Sequence, residues 1–376
     1  MGKNSASGNS KQISRRQVLQ GGLVAAATAV VGGTGLLGQN QPSQAGEGQS
    51  VPAVDIHAHY FPQAYLDLIA SEGKRFGASY KMTPKGWLIR TPAANNGPLP
   101  NKFIDLKERL ADMDAQGVSV QALSLTAPMV YWGDEDFSHK LSVAWNDAAS
   151  AAHQTYPARL VALLTLPMPY PERALDELNR ASKLPGMRGV YIGTNVNHRD
   201  LDDPLFEPVF TRIEQLDLPI FLHPIEVVGG QRMKPFFLFN LLGNPFDTTI
   251  AAAHLIFGGV LDRHPKLTFG LSHAGGALPL LIGRLDQGWK VRSEVPHLPQ
   301  PPSAYLKRFV YDTIIHSKSA MEFVINAVGA ERVMIGSDYC FNTGYARPLQ
   351  FLQQLELTTA QRLTIRGGNA VRLLKL

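Results

Sequence analysis

Cysteine is nearly absent from this chain of 376 residues: Cys340 stands alone, which excludes an intramolecular disulfide framework and any zinc site built from several thiolates. No acidic residue occurs in residues 1–45, and no internal repeat or low-complexity segment interrupts the body of the chain. A Gly-rich phosphate fingerprint after an apolar strand is also missing, so an open dinucleotide-binding sheet is disfavoured. Net charge is small as well. Lys3, Lys11, Arg15 and Arg16 lie in residues 1–45, and taking those four cations from the formal net charge of +5 leaves +1. That balance gives no reason to expect a nucleic-acid or anionic-surface partner. With 44% hydrophobic residues the chain can bury a large core, sized for two ordinary domains or one α/β barrel.

The first 45 residues read as an address rather than as structure. A twin arginine, Arg15-Arg16, precedes a soft apolar run from Gly21 to Gly38, and Ser43-Gln44-Ala45 offers a small-x-small cleavage site. The run is rich in Ala and Gly and too weakly apolar to span a bilayer. It resembles a twin-arginine export signal. The expectation is a signal over 1–45, a linker over 46–52, and a periplasmic or otherwise exported protein without stable membrane insertion once the signal is removed.

The organising stretch is Ala53-Val54-Asp55-Ile56-His57-Ala58-His59. It is apolar and β-prone up to Ile56, and side chains at i and i+2 on a strand point the same way, so both imidazoles converge. Two converging imidazoles invite a divalent metal. Further along, apolar segments at 118–125, 160–166, 188–193, 219–222, 267–271, 309–315 and 333–335 read as strands. Helical patterns intervene at 104–117, 144–156, 171–183 and 205–216. With 53–56 these make eight βα units, the repeat of a TIM-like (β/α)8 barrel over 53–376. Residues 60–104 read as a small insertion after the first strand, with a short helix at 64–70 and a hairpin turn at Pro84-Lys85-Gly86.

In such a barrel the chemistry sits at the C-terminal ends of the strands. His57 and His59 end the first strand, His223 the fifth, His273 the sixth and Asp338 the eighth. Three neutral imidazoles and a carboxylate, His57, His59, His223 and Asp338, suit zinc, with manganese as the alternative and no organic cofactor. A metal can bring bound water toward neutrality in pKa. His273 is then the proton acceptor, and Asp338 both ligand and proton shuttle. The other seven histidines, His316 among them, fall in expected helices or loops and receive no role.

Together, Asp55-x-His57-x-His59, Phe221-Leu222-His223-Pro224, Ser272-His273-Ala274-Gly275-Gly276, Gly336-Ser337-Asp338-Tyr339 and Gly368-Asn369-Ala370-x-Arg372-Leu373 resemble the amidohydrolase-related metal enzymes. The branch is that of aminocarboxymuconate semialdehyde decarboxylase, and Gly229-Gly230-Gln231-Arg232-Met233 is similar to the loop after its fifth strand. The resemblance implies that His57, His59, His223 and Asp338 hold zinc and that His273 is catalytic. It further implies that Arg284 and Arg292 clamp substrate carboxylates, one of them across a homodimer, and that Phe341 and Phe236 or Phe237 are aromatic walls. Arg offers a planar, bidentate fork to a carboxylate.

Two departures stand out. The family's further arginine in the insertion is missing, since the aligned residues read Asn95-Asn96-Gly97-Pro98, leaving Arg90 or Lys102 as substitutes. Cys340 stands where proline commonly follows the tyrosine, and reads as a packing residue rather than a nucleophile. The leading expectation is a metal-dependent, non-oxidative decarboxylase of a small unsaturated or aromatic carboxylic acid. A hydrolase of an ester, lactone or amide on the same residues is the alternative, and a non-catalytic periplasmic binding protein the second.

Overall fold

The computed structural model describes residues 51–376. The expected signal and residues 46–50 of the expected linker lie outside the described residues. Twelve strands are present among them: β1 (Val54–His59), β2 (Ser79–Thr83), β3 (Gly86–Arg90), β4 (Asn95–Leu99), β5 (Val120–Ser124), β6 (Leu160–Leu164), β7 (Met187–Gly193), β8 (Asn195–Val196), β9 (Arg199–Asp200), β10 (Ile220–His223), β11 (Phe269–Leu271) and β12 (Phe309–Tyr311). Seven form one parallel sheet in the order β1-β5-β6-β7-β10-β11-β12. Every residue of β1, β6, β10, β11 and β12 is buried, as expected of parallel strands covered on both faces.

The eighth expected strand, at 333–335, is not a regular strand. Residues 333–339 instead bridge the two edges of the sheet at isolated points. Val333 bridges Tyr311 of β12, and Tyr339 bridges Ala58 of β1. The Met334 N–H donates to Tyr311 O at 2.9 Å, and the Ile56 N–H to Ile335 O at 2.9 Å. Side-chain oxygens break the ladder in between. Thr313 Oγ1 accepts the Gly336 N–H at 3.2 Å, and Asp55 Oδ1 accepts the Ser337 N–H at 3.0 Å. The seventh expected strand, 309–315, stops at Tyr311 for a similar reason: the Asp312 carboxylate takes the Ile314 N–H at 3.0 Å.

Residues 63–99 follow the reading more closely at the start than at the end. The helix Gln63–Ser71 matches the one expected at 64–70, and the 84–86 turn joins β2 to β3 with Thr83 opposite Gly86. The third strand, β4, was not expected, because Asn-Asn-Gly-Pro reads as a turn. It is tolerated as an edge strand, where Pro98 need not donate into a ladder. Trp87 anchors this sheet, fully buried against Phe61 and Phe103 at ring distances of 5.1 and 6.0 Å.

Among the helices, Leu106–Gln116 is capped as its sequence demands. The Asp105 carboxylate accepts the Lys107 and Glu108 N–H groups, and Gly117 closes the end with a φ of 71°. The helix expected at 144–156 begins nine residues earlier, at Glu135, behind an Asp134 cap that accepts the Phe137 N–H. Phe137, Leu141 and Trp145, four apart, all face the core. No helix among the described residues is long and apolar enough to cross a membrane.

Candidate metal centre and active site

Two strand ends, those of β1 and β10, and the bridging segment deliver the expected ligands to one place. One ligand atom from each of His57, His59, His223 and Asp338 lies within 4.8 Å of the others, and all four residues are buried. His57 Nε2 is 3.2 Å from His59 Nε2, which is 3.0 Å from Asp338 Oδ1. A register shift in β1 between Asp55 and Ala58 places one extra residue beside His57, a bulge of the kind that re-aims side chains near active sites.

The hydrogen-bond network assigns the tautomers. His57 Nδ1 donates to Asp312 Oδ2 at 2.8 Å, and His223 Nδ1 to Pro224 O at 2.8 Å. Ser124 commits its own O–H to Ala58 O, so its oxygen accepts from His59 Nδ1 at 3.2 Å. Each ring therefore turns an Nε2 lone pair toward the same point, where the Asp338 carboxylate also points. Four acceptors converge there with no donor among them. Neutral protein groups do not satisfy that arrangement, whereas a divalent cation does.

Burial pushes His59 and His223 well below the ordinary histidine range, helped by the neighbouring imidazoles, and so keeps both neutral and ready to ligate. Burial also opposes charge on His57, but the Asp312 hydrogen bond and nearby carboxylates outweigh it and raise its pKa. Asp338 is raised by burial, against the pull of His57 and His273.

His273 stands apart from the ligand group. Its ring centre lies 5.6 Å from that of His57 and 5.7 Å from that of His223, and its buried Nδ1 has no protein partner. Burial lowers its pKa. His273, Ala274, Gly275 and Gly276 all have positive φ, and the turn is pressed so closely onto Pro245 that a Cβ at Gly276 would lie 1.9 Å from its carbonyl oxygen. Only glycine fits there. Asp312 fixes the turn from beneath by accepting the His273 and Ala274 N–H groups at 3.0 and 2.8 Å.

Sequence reasoning passed over Asp312, Ser124 and Arg109. Asp312 joins the His57 ring to the His273 backbone; its one sequence signal was an acid after the apolar run 309–311. Arg109, fully buried, donates to the His59 carbonyl oxygen and to Gln121 Oε1 at 3.0 Å, and stacks 4.6 Å from the Tyr339 ring centre. Gln121 Nε2 in turn donates to Asp55 Oδ2, whose partners include Ser337. One buried network thus ties β1, β5 and the bridging segment together behind the ligands.

The other expected site residues are placed as follows. Phe341 lies 5.5 Å from the His59 ring centre and 4.9 Å from that of Phe103. Arg284 is exposed on the helix Leu278–Val291, and Arg292 is exposed and paired with Glu294. Neither arginine lines the cavity of about 190 Å³ that holds His273 and Asp338. Phe236 and Phe237 are 85% and 46% exposed. Arg90 is exposed at the end of β3, and Lys102 is engaged by Asp112 at 2.6 Å. Cys340 is partly buried beside Phe341, and burial pushes its thiol up to about 12, which removes it as a nucleophile.

A family model described as amidohydrolase matches residues 54–376. This chain belongs to the amidohydrolase family, in its decarboxylase branch. It is 31% identical to the 2-amino-3-carboxymuconate-6-semialdehyde decarboxylase of Dictyostelium discoideum, over 86% of this chain and 91% of the relative. It is 28% identical to the gamma-resorcylate decarboxylase of Rhizobium radiobacter, over 74% of this chain and 90% of the relative. Among solved structures, 5-carboxyvanillate decarboxylase from Sphingomonas paucimobilis superposes with a TM-score of 0.76 at 26% identity, covering 87% of this chain and all of the other. The curled parallel sheet of this amidohydrolase is thus shared with barrel enzymes of the same family.

Proposed function

We propose that this amidohydrolase is a metal-dependent, non-oxidative decarboxylase of a small aromatic or unsaturated carboxylic acid. One observation carries the reading: three imidazole lone pairs and a carboxylate meet at a point without a donor, in a chain whose relatives are decarboxylases. His57, His59, His223 and Asp338 would hold one zinc ion, or manganese. Such a cation supplies positive charge where negative charge gathers on the substrate during the reaction.

The chain's own residues handle the proton. Decarboxylation replaces the carboxylate carbon by hydrogen: a proton reaches the ring carbon, the carbon–carboxylate bond breaks, and its electron pair returns to the ring as carbon dioxide leaves. His273 and Asp338 line one cavity beside the ligand group, and on this reading they are the donor and relay that bring the proton to that carbon. Phe341 supplies a flat wall against the ring. Burial of all four ligand residues excludes bulk water, which strengthens every charge interaction in the site.

Arg284 and Arg292 complete the site in a homodimer on this reading, one arginine meeting the substrate carboxylate of the neighbouring subunit. Exposed apolar residues on the same helix, Leu280 and Val291, support an interface there. The bridging segment 333–339 is then the eighth position of the barrel, and 60–104 an insertion over its mouth. The twin arginine at Arg15-Arg16 supports export before function.

The test is to incubate the zinc-loaded protein with hydroxybenzoates, muconate-type acids and lactones, following carbon dioxide and acid production separately. Gas from an acid substrate is expected. Acid from a lactone without any gas from the carboxylic acids would replace this reading with a hydrolase.

A further inference from the structure

His316 received no role from the sequence, yet it lines the same cavity as His273 and Asp338. Its surroundings are built to hold it there. The residue adopts a left-handed backbone, φ 55°, which a histidine takes up only at a cost. Its N–H donates to the Tyr345 hydroxyl at 2.7 Å, and its ring lies 4.2 Å from the Tyr345 ring at a tilt of 35°. Tyr345 stacks in turn on Phe351 at 4.8 Å, and its own N–H donates to Ser337 O at 2.7 Å, beside the Asp338 ligand. Three rings in a column thus fix an exposed imidazole relative to the metal-binding carboxylate.

The rest of the lining is mostly apolar or neutral: Leu241, Pro245, Ile314 and Ile315, with Asn240 and Thr343. No lysine or arginine lines it among the described residues. Within one subunit an imidazole is therefore the strongest hydrogen-bonding group available to the part of a substrate that lies away from the four ligands.

We propose that His316 is a specificity-determining residue that donates a hydrogen bond to an oxygen substituent, hydroxyl or carboxylate, on the far side of the substrate ring from the reacting carboxylate. This rests on the decarboxylase reading above. The platform matters because an exposed imidazole free to rotate would lose entropy on binding, whereas one already stacked and tethered does not.

The probes are 2-hydroxybenzoate and its derivatives carrying hydroxyl or carboxylate at position 4, opposite the reacting carboxylate. Their dissociation constants are measured by calorimetry on the zinc-loaded protein, alongside kcat and KM for carbon dioxide release. The wild-type protein is expected to prefer at least one substituted acid by about tenfold, the scale of one good hydrogen bond, and the arm that shows it identifies which oxygen is read. His316→Phe, which keeps the stack, should bind the unsubstituted acid unchanged and lose the preference through KM rather than kcat. His316→Gln, which keeps a donor, should recover part of it. Tyr345→Phe, which removes only the tether, should weaken the preference with zinc content unchanged. Equal preference in wild type and His316→Phe, or no preference in the wild type, would overturn the inference while leaving the decarboxylase reading intact. Absence of both binding and gas for all three acids would overturn that reading and this inference with it.

Discussion

His57, His59, His223 and Asp338 are at most 5% exposed, whereas the stretch from Val228 to Phe246 and the helix Leu278–Val291 leave Phe236, Leu280 and Val291 exposed by 85%, 73% and 63%. Asn240, Leu241 and Pro245 of the first exposed stretch line the cavity that holds His273 and Asp338. Of the two regions, one is finished within a single chain: every imidazole has its second nitrogen held, and the backbone behind it is tied by Arg109, Gln121 and Asp55. The other presents apolar side chains and two arginines to solvent. The contrast separates two tasks. Gripping a cation needs donors fixed to within a fraction of an ångström, which only a packed interior supplies. Holding a substrate that must enter and leave can be left to a surface that, on the proposed reading, a second subunit completes.

The sharpest way to break this comparison is to remove a ligand. His57→Ala and Asp338→Ala should each lower bound zinc below stoichiometry and reduce turnover by at least about a thousandfold. Full metal content by elemental analysis in both variants would dissolve the buried side of the contrast. Next comes the support behind the ligands. Asp312→Asn keeps the shape but weakens the acceptor for His57 Nδ1, so zinc affinity in a chelator competition should fall by about 10- to 100-fold.

On the open side the expected effects are smaller and of another kind. Arg284→Ala should change unfolding free energy by less than about 0.5 kcal/mol, yet cost about tenfold in kcat/KM if the arginine serves a neighbouring site. Leu280→Asp should shift the protein toward monomer in sedimentation. If both variants matched wild type in activity and mass, the exposed region would have no part in the site.

The mildest test uses acidity, and it concerns the buried side alone. His59, His223 and His273 have pKa values below the ordinary 6.5, and only His57 among the four lies above it. Below about pH 6.5 the unfolded chain takes up protons at three rings that the metal-free native state keeps neutral, so stability falls as pH drops through that value. His57 opposes the trend, since its stabilisation is fully present below its unfolded pKa. A melting temperature of the metal-free protein that rose on acidification from pH 7 to 5.5 would contradict the balance.

Much of this was legible in the residues because it is local. The i, i+2 spacing of His57 and His59 and the apolar runs ahead of His223, His273 and Asp338 depend on strand periodicity, which a chain writes in its own order. The helix closure at Gly117 belongs to the same class. Asp312 was not legible as a partner of His57, since 255 residues separate them and nothing in either neighbourhood records the contact. β4 escaped because Asn95-Asn96-Gly97-Pro98 has the composition of a turn, and only pairing with β3 makes it a strand.

The sequence by itself determined which side chains can ligate, which segments prefer to be strands, and at which strand ends the chemistry belongs, because those properties follow from side-chain type and backbone period. The tertiary structure alone decided the rest: that the three imidazoles turn their lone pairs inward, that side-chain oxygens keep 333–339 from pairing as the expected eighth strand, and that His316 is stacked into the cavity. Each depends on groups distant along the chain meeting in space, and hydrogen bonding between such groups has no signature in the order of the residues.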